Sequence, residues 1–320
     1  MEFRTSAEIL SLLIIMAFLL FAGCGEKTET LLFHAGAGQR SSLNEIKELF
    51  SKRNPGVRVD FAYKGSGYFI ADLSRSHEGD LFMPGEEFYL LQALERGFID
   101  DYNPDRDIAA YFVTCIITPR GNPANVRVIE DFSKPGIRVG LGNPKACAIG
   151  IWHEKTFKKA GIWHEVQENA TFSAKCIPEL GNAVQHRLID ATIVWSSTAV
   201  LYLRDIEIIP IEPKFRGAIR LPVALLRFSR HRETSQKLKN LILSDEGKEI
   251  FMSHAYATGI IPIDEQGFVT DDGETTNRLM TWLVNAARAV KDESSIANAN
   301  HVGPLSKEVI RQRKTIRPGN

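Results

Sequence analysis

Apolar positions along the chain follow two periods in turn. Residues 30–34 (TLLFH) form a short continuous apolar run, which predicts a buried strand. Leu43, Ile46, Leu49 and Phe50 recur at helical spacing, and after the turn Asn54-Pro55-Gly56 the residues Val57, Val59, Phe61 and Tyr63 alternate as in a strand. A helix is expected over about 68–75 and a strand over 80–83. The opening therefore reads β-α-β-α-β, the pattern of a parallel sheet with right-handed crossovers. The pattern then restarts, with strands expected over 111–118, 137–141 and 191–195 and helices over 150–160 and 178–187. Pro178 suits the first turn of the second of these helices. A further apolar strand is expected over 221–228 (LPVALLRF). Two α/β units thus flank two long apolar strands, which can carry the chain to a second lobe and back. Beyond about residue 259 the pattern weakens to one helix over 277–290, and the polar residues 292–320 read as loosely ordered.

The N-terminus carries an apolar run of its own, residues 9–22 (ILSLLIIMAFLLFA). It is shorter than the roughly 20 residues of a spanning helix. Arg4 precedes it, and Ala22, Gly23 and Cys24 follow, which is the layout of a secretory signal. Phe21-Ala22-Gly23-Cys24 looks like a bacterial lipobox with Phe in place of the usual Leu. On this reading residues 1–23 are a signal peptide, and Cys24 carries lipid that holds a soluble domain at the membrane surface through a linker over 24–29. Cys115, Cys147 and Cys176 remain, an odd number with no C-x-x-C pair, so a zinc or redox motif is not expected. Cys115 lies within the strand-like run FVTCIIT, as a small buried residue would.

The 320 residues hold 39 basic and 39 acidic side chains, which leaves no basic footprint for nucleic acid. The 24% of charged residues is ordinary globular usage and excludes a highly charged disordered chain. No G-x-S-x-G elbow and no H-E-x-x-H occurs. His153, His164 and His186 fall on what read as polar helical faces, where a solvated role is expected. Glu86 and Glu87 likewise read as the solvated start of a helix.

Candidate chemistry concentrates in four loops, each expected at the carboxyl end of a strand, where open α/β sheets bind their ligands. They are residues 35–42 (AGAGQRSS), 65–67 (GSG), 84–86 (PGE) and 143–150 (NPKACAIG). Small residues let backbone N–H groups approach a ligand, and the helix start that follows favours an anion. Ser66 adds a hydroxyl where a helix N-cap belongs. The first loop lacks the spacing and the Lys-Ser or Lys-Thr pair of a P-loop, so nucleotide binding is disfavoured. Four such loops converging on one cleft would hold an anion mainly with neutral donors.

With these loops in view, residues 30–260 resemble the extracytoplasmic solute-binding proteins of ABC transporters for molybdate and tungstate. The likeness rests on the order and spacing of LLFHAGAG, GSG, GDLFMPGE, VGLGNPKACAIG and IDATIVW. It implies a two-lobed, type II periplasmic-binding-protein fold that closes over its ligand by a hinge. The implied lobes are 30–114 with 225–262, and 115–224, followed by a C-terminal extension over 263–320. The implied oxyanion contacts fall at Ala37, Gly38, Ser66, Gly85, Ala148, Ile149, Ile177 and Trp195. Ala37 and Gly38 stand where many relatives have a hydroxyl, so only a backbone donor carries over. Trp195 stands where the family has a tyrosine, so an indole N–H replaces a hydroxyl. Arg40 is a candidate extra donor. The resemblance implies a monomeric, non-enzymatic lipoprotein of the cell envelope, with no cofactor and any metal met only through the oxygens of its oxyanion. Its partners would be a membrane permease and an ATPase. The alternatives are the same fold binding sulfate, phosphate or ferric ion, and an enzyme using Cys147 as a nucleophile at a helix start.

Overall fold

The computed structural model describes residues 28–146, 148–271 and 273–292, so Cys24, Cys147 and the tail after residue 292 lie outside the described residues. The first unit runs β1 (Glu29–Gly36), α1 (Arg40–Arg53), β2 (Val57–Lys64), α2 (Ser66–Ser76), β3 (Leu81–Met83) and α3 (Glu87–Glu95). The long strand β4 (Ile108–Pro119) follows. The second unit runs β5 (Val139–Gly142), α4 (Ala148–Lys159), α5 (Trp163–Glu168), β6 (Ala170–Ala174), α6 (Ile177–Gln185) and β7 (Thr192–Trp195). Strands β8 (Ile206–Ile209), β9 (Ala218–Pro222) and β10 (Ala224–Leu225) come next, then helices α7 (Arg232–Leu243), α8 (Asp245–Ser253) and α9 (Glu274–Asp292).

Strands β1, β2 and β3 are parallel, in the order β10-β3-β1-β2, with β10 antiparallel to β3. Helix α1 crosses between β1 and β2 because Leu43, Ile46 and Phe50 form a stripe one face wide, and all three are buried. In the second unit β5 and β6 are parallel, and Val139 bridges in parallel to Ala191 next to β7. The expected two-lobed α/β fold, with sheets flanked by helices, is borne out.

Strand β4 changes partners along its length. From Ile108 to Val113 it is antiparallel to β9, and from Thr114 onward it is antiparallel to β7 and β8. The apolar run 221–228 is not one strand, as its pattern suggests. The ladder with β4 ends at Pro222, which has no N–H to give. Val223 then donates to the Asp107 carbonyl (2.9 Å), and Ala224 restarts pairing on β3. A helix expected over 277–290 extends from Glu274 to Asp292. Helices α7 and α8 and strand β6 are not among the elements expected from the sequence. Cys115 is fully buried in β4, as its apolar neighbours suggest.

Candidate ligand-binding site

Each of the four loops lies where its sequence places it, between the carboxyl end of a strand and a following helical turn. Strand β1 runs two residues further than expected, so Ala37 and Gly38 occupy a tight turn (Ala37–Gln39) that leads into α1. Both are exposed. Ser66 is the first residue of α2, and the cap position belongs to Gly65, so the expected N-cap role of Ser66 does not hold. Gly65 is extended (φ −67°, ψ 137°), the backbone an N-cap needs. Gly85 joins β3 to α3. Ala148 and Ile149 open α4, the first exposed and the second fully buried. Ile177 opens α6 after β6, half-buried behind the exposed Cys176. Trp195 closes β7 and is 3% exposed.

Close backbone approach joins the first and third loops. A Cβ on Gly36 would stand 3.0 Å from the Gly85 nitrogen. The buried Gln39 side chain donates to the Pro84 carbonyl at 3.0 Å and so fixes one loop against the other. The Phe112 ring, from β4, joins the first loop to Trp195. A Cβ on Gly38 would stand 3.0 Å from that ring, and the ring stacks on Trp195 at 5.4 Å with 17° between planes. Trp195 meets Trp152 of α4 edge-on at 6.3 Å. Among the described contacts, those that tie these loops together do not run through Ile177 or Arg40. Arg40 places its guanidinium 4.2 Å over the Tyr63 ring.

Two residues of this region, Tyr256 and His153, are not placed in it by any of the sequence motifs. Tyr256 is buried and donates its hydroxyl to the Gly38 carbonyl at 2.6 Å, with Ser42 and Ser197 also against it. Burial pushes its phenol well above the ordinary range. His153 corrects the surface role expected for it, since it is fully buried. The Gly142 N–H donates to its Nδ1 at 3.0 Å, so Nε2 carries the hydrogen and donates to the Ile193 carbonyl at 2.8 Å. The imidazole thereby braces the fourth loop against β7. Burial lowers its pKa from 6.5 to about 4. His164 and His186 are exposed, as expected.

Glu86 and Glu87 are the second correction. Neither is a freely solvated helix start. Glu87 accepts from the Tyr102 hydroxyl and from Arg220 Nη1 at 3.1 Å, and Arg220 also bonds Tyr111 of β4. Glu86 sits at the N-cap of α3 without capping it. Its Oε1 is buried, with no hydrogen-bond partner among the described residues. Burial raises its pKa, and Lys155 of α4 acts against that rise.

Helix starts of α1, α2, α4 and α6 therefore point backbone N–H groups out of strand ends, where partial positive charge suits an anion. Among the described residues no cluster of three or more His, Cys, Asp or Glu stands ready to hold a metal ion. No helix among them is long and apolar enough to cross a membrane.

The sequence model of the bacterial extracellular solute-binding proteins matches residues 31–257. A binding protein of Haemophilus influenzae is 24% identical over 226 residues, which span 71% of this chain and 90% of that protein. The molybdate-binding protein ModA of Mycobacterium tuberculosis is 21% identical over 237 residues, 74% of this chain and 87% of its own. Among solved structures, the sulfate-binding protein SubI of Mycobacterium tuberculosis superposes with a TM-score of 0.63 at 16% identity, covering 78% of this chain and 91% of its own. The periplasmic molybdate-binding protein of Azotobacter vinelandii does so at 0.58 and 13% identity, covering 72% of this chain and 100% of its own. Each of these relatives carries the name of a binding protein, and the family match covers both α/β units from β1 to just past α8. The chain belongs to the bacterial extracellular solute-binding protein family.

Proposed function

We propose that the protein captures a tetrahedral oxyanion, molybdate or tungstate, between its two lobes and delivers it to the permease and ATPase of an ABC transporter. The lobes are residues 30–114 with 225–262, and 115–224, and closure over the anion is the signal the permease reads. The contacts are Ser66, the backbone around Ala37, Gly38, Gly85, Ala148, Ile149 and Ile177, and the Trp195 indole, with Arg40 in reserve. The protein acts as a monomer held at the cell envelope by lipid on Cys24. The observation that carries the reading is the set of strand–loop–helix starts, whose N–H groups supply donors without a fixed cation. A fully ionised dianion accepts from every donor and needs none in return. The molybdate-binding relatives support the choice of anion. A second reading, sulfate in the same cleft, is favoured by the likeness to SubI.

Melting of the chain from residue 25 onward, with each anion added in turn, tests this. A ligand at 100 times its dissociation constant adds about 2.7 kcal/mol to stability. Molybdate or tungstate should raise the midpoint where sulfate does not. A rise with sulfate or phosphate alone would reassign the ligand, and no rise with any of the four would sink the oxyanion reading.

A further inference from the structure

Two adjacent carboxylates at the start of α3 meet opposite fates. Glu87 is saturated by Tyr102 and Arg220. Glu86 has extended backbone at the N-cap (φ −154°, ψ 143°), where a carboxylate commonly accepts from the first turn of its own helix, yet it makes no such bond. It follows Gly85, whose nitrogen lies against Gly36 of the first loop, so it stands where two of the anion-facing loops meet. Its Oε1 is buried and accepts nothing among the described residues.

The charged and titratable groups around it leave it unpaired. Lys155, from α4 in the other α/β unit, acts on it electrostatically but gives its own proton to the Gln266 carbonyl at 3.3 Å. Tyr89, on α3 itself, has its phenol raised by burial and by Glu86. Arg220 of β9 turns to Glu87. On the neighbouring β2 and α2, Lys64 and Arg75 both pair with Asp72.

A charged carboxylate among donors that await a dianion is a repulsive neighbour. A neutral one is a donor, because a protonated carboxyl offers an O–H. We infer that Glu86 is a specificity-determining residue of the cleft, protonated when a fully ionised oxyanion binds, so that capture takes up one proton at this side chain. The inference rests on the oxyanion reading above. Burial already biases Glu86 toward its neutral form, and the arriving anion completes the shift. By linkage, affinity for molybdate falls by up to tenfold for each pH unit above the point where Glu86 ionises in the free protein.

The test is isothermal titration of molybdate into the soluble chain from residue 25 onward between pH 5.5 and 8.5, in two buffers of different ionisation enthalpy, with Glu86→Gln beside the wild type. The wild type should take up close to one proton per anion at the alkaline end and lose affinity steeply there. Glu86→Gln, which keeps a donor and drops the charge, should bind with flat pH dependence and at least tenfold more tightly than wild type at pH 8. Molybdate binding by the wild type without proton uptake would overturn the role of Glu86 and leave the oxyanion reading standing. Equal pH dependence in the variant would place the proton elsewhere and also overturn it. No binding of molybdate, tungstate, sulfate or phosphate by either protein at pH 5.5 would remove the oxyanion reading, and the inference with it.

Discussion

His153 is a side chain whose chemistry comes wholly from its burial. Its neutral ring accepts from Gly142 and donates to Ile193, and its full burial disfavours the charged form. Its folded pKa of about 4 lies below the unfolded value of 6.5. Between those values the unfolded chain binds more protons, so stability rises with pH through this window and is complete above it. The contribution is on the order of 3 kcal/mol, lost as pH falls from 6.5 toward 4. Urea unfolding of His153→Gln should show a lower stability than wild type at pH 7.5 and a flatter pH dependence between 4 and 6.5. A variant with the full wild-type slope would mean that other groups carry the acid sensitivity. Tyr256 acts nearby in a similar way, with a hydroxyl given to the first loop from far along the chain.

At the scale of elements, one arginine docks helix α9. Arg216 precedes β9 and is 2% exposed. Its Nε and Nη2 donate to the Ile211 carbonyl, and its Nη1 donates to Thr276 Oγ1 (2.6 Å) and Asn277 Oδ1 (2.7 Å) in the first turn of α9. Burial lowers even this guanidinium, to about 10, and Asp271 offsets part of that. The apolar stripe Leu279, Met280 and Leu283 then packs the helix onto the molecule. Arg216→Met removes the donors and leaves buried acceptors behind, a loss on the order of 3 kcal/mol. Limited proteolysis should then cut within α9 well before the rest of the chain. Cleavage at the wild-type rate would show that the apolar stripe alone suffices.

The whole molecule turns on two antiparallel strands. Strand β4 pairs with β9 in its first half and with β7 and β8 in its second, so the chain crosses from one set of strand partners to the other near Thr114. The Glu87–Arg220 pair, with side chains 24% and 31% exposed, ties α3 to β9 beside this crossing. Solvent screens it, so its removal costs on the order of 1 kcal/mol. Its effect on shape should be larger than its effect on stability. Small-angle scattering of ligand-free Arg220→Met is expected to give a larger radius of gyration than wild type, with a melting point lower by a few degrees. An unchanged radius would locate the restraint outside this pair.

What the sequence determined by itself is what depends on neighbours along the chain. The alternation in 57–63 and the stripe Leu43, Ile46 and Phe50 declare their elements because side-chain direction repeats every two or 3.6 residues. Small residues after β1, β2, β3 and β5 declare the loops, because only short side chains let backbone approach a ligand. Tertiary structure alone decided which side chains lost their water. His153 reads as a surface residue beside Glu154 and Lys155, although Ile149 and Phe157 on its own face are buried, and its partners lie 11 and 40 positions away. Trp195 became part of an aromatic stack because β4 delivers Phe112 to it across a strand pair. Glu86 and Glu87 are equal in sequence, but Arg220, 133 residues beyond Glu87, reaches only one of them. Burial and long-range pairing have no period along the chain, so the side chains they govern are visible only once the strands have crossed.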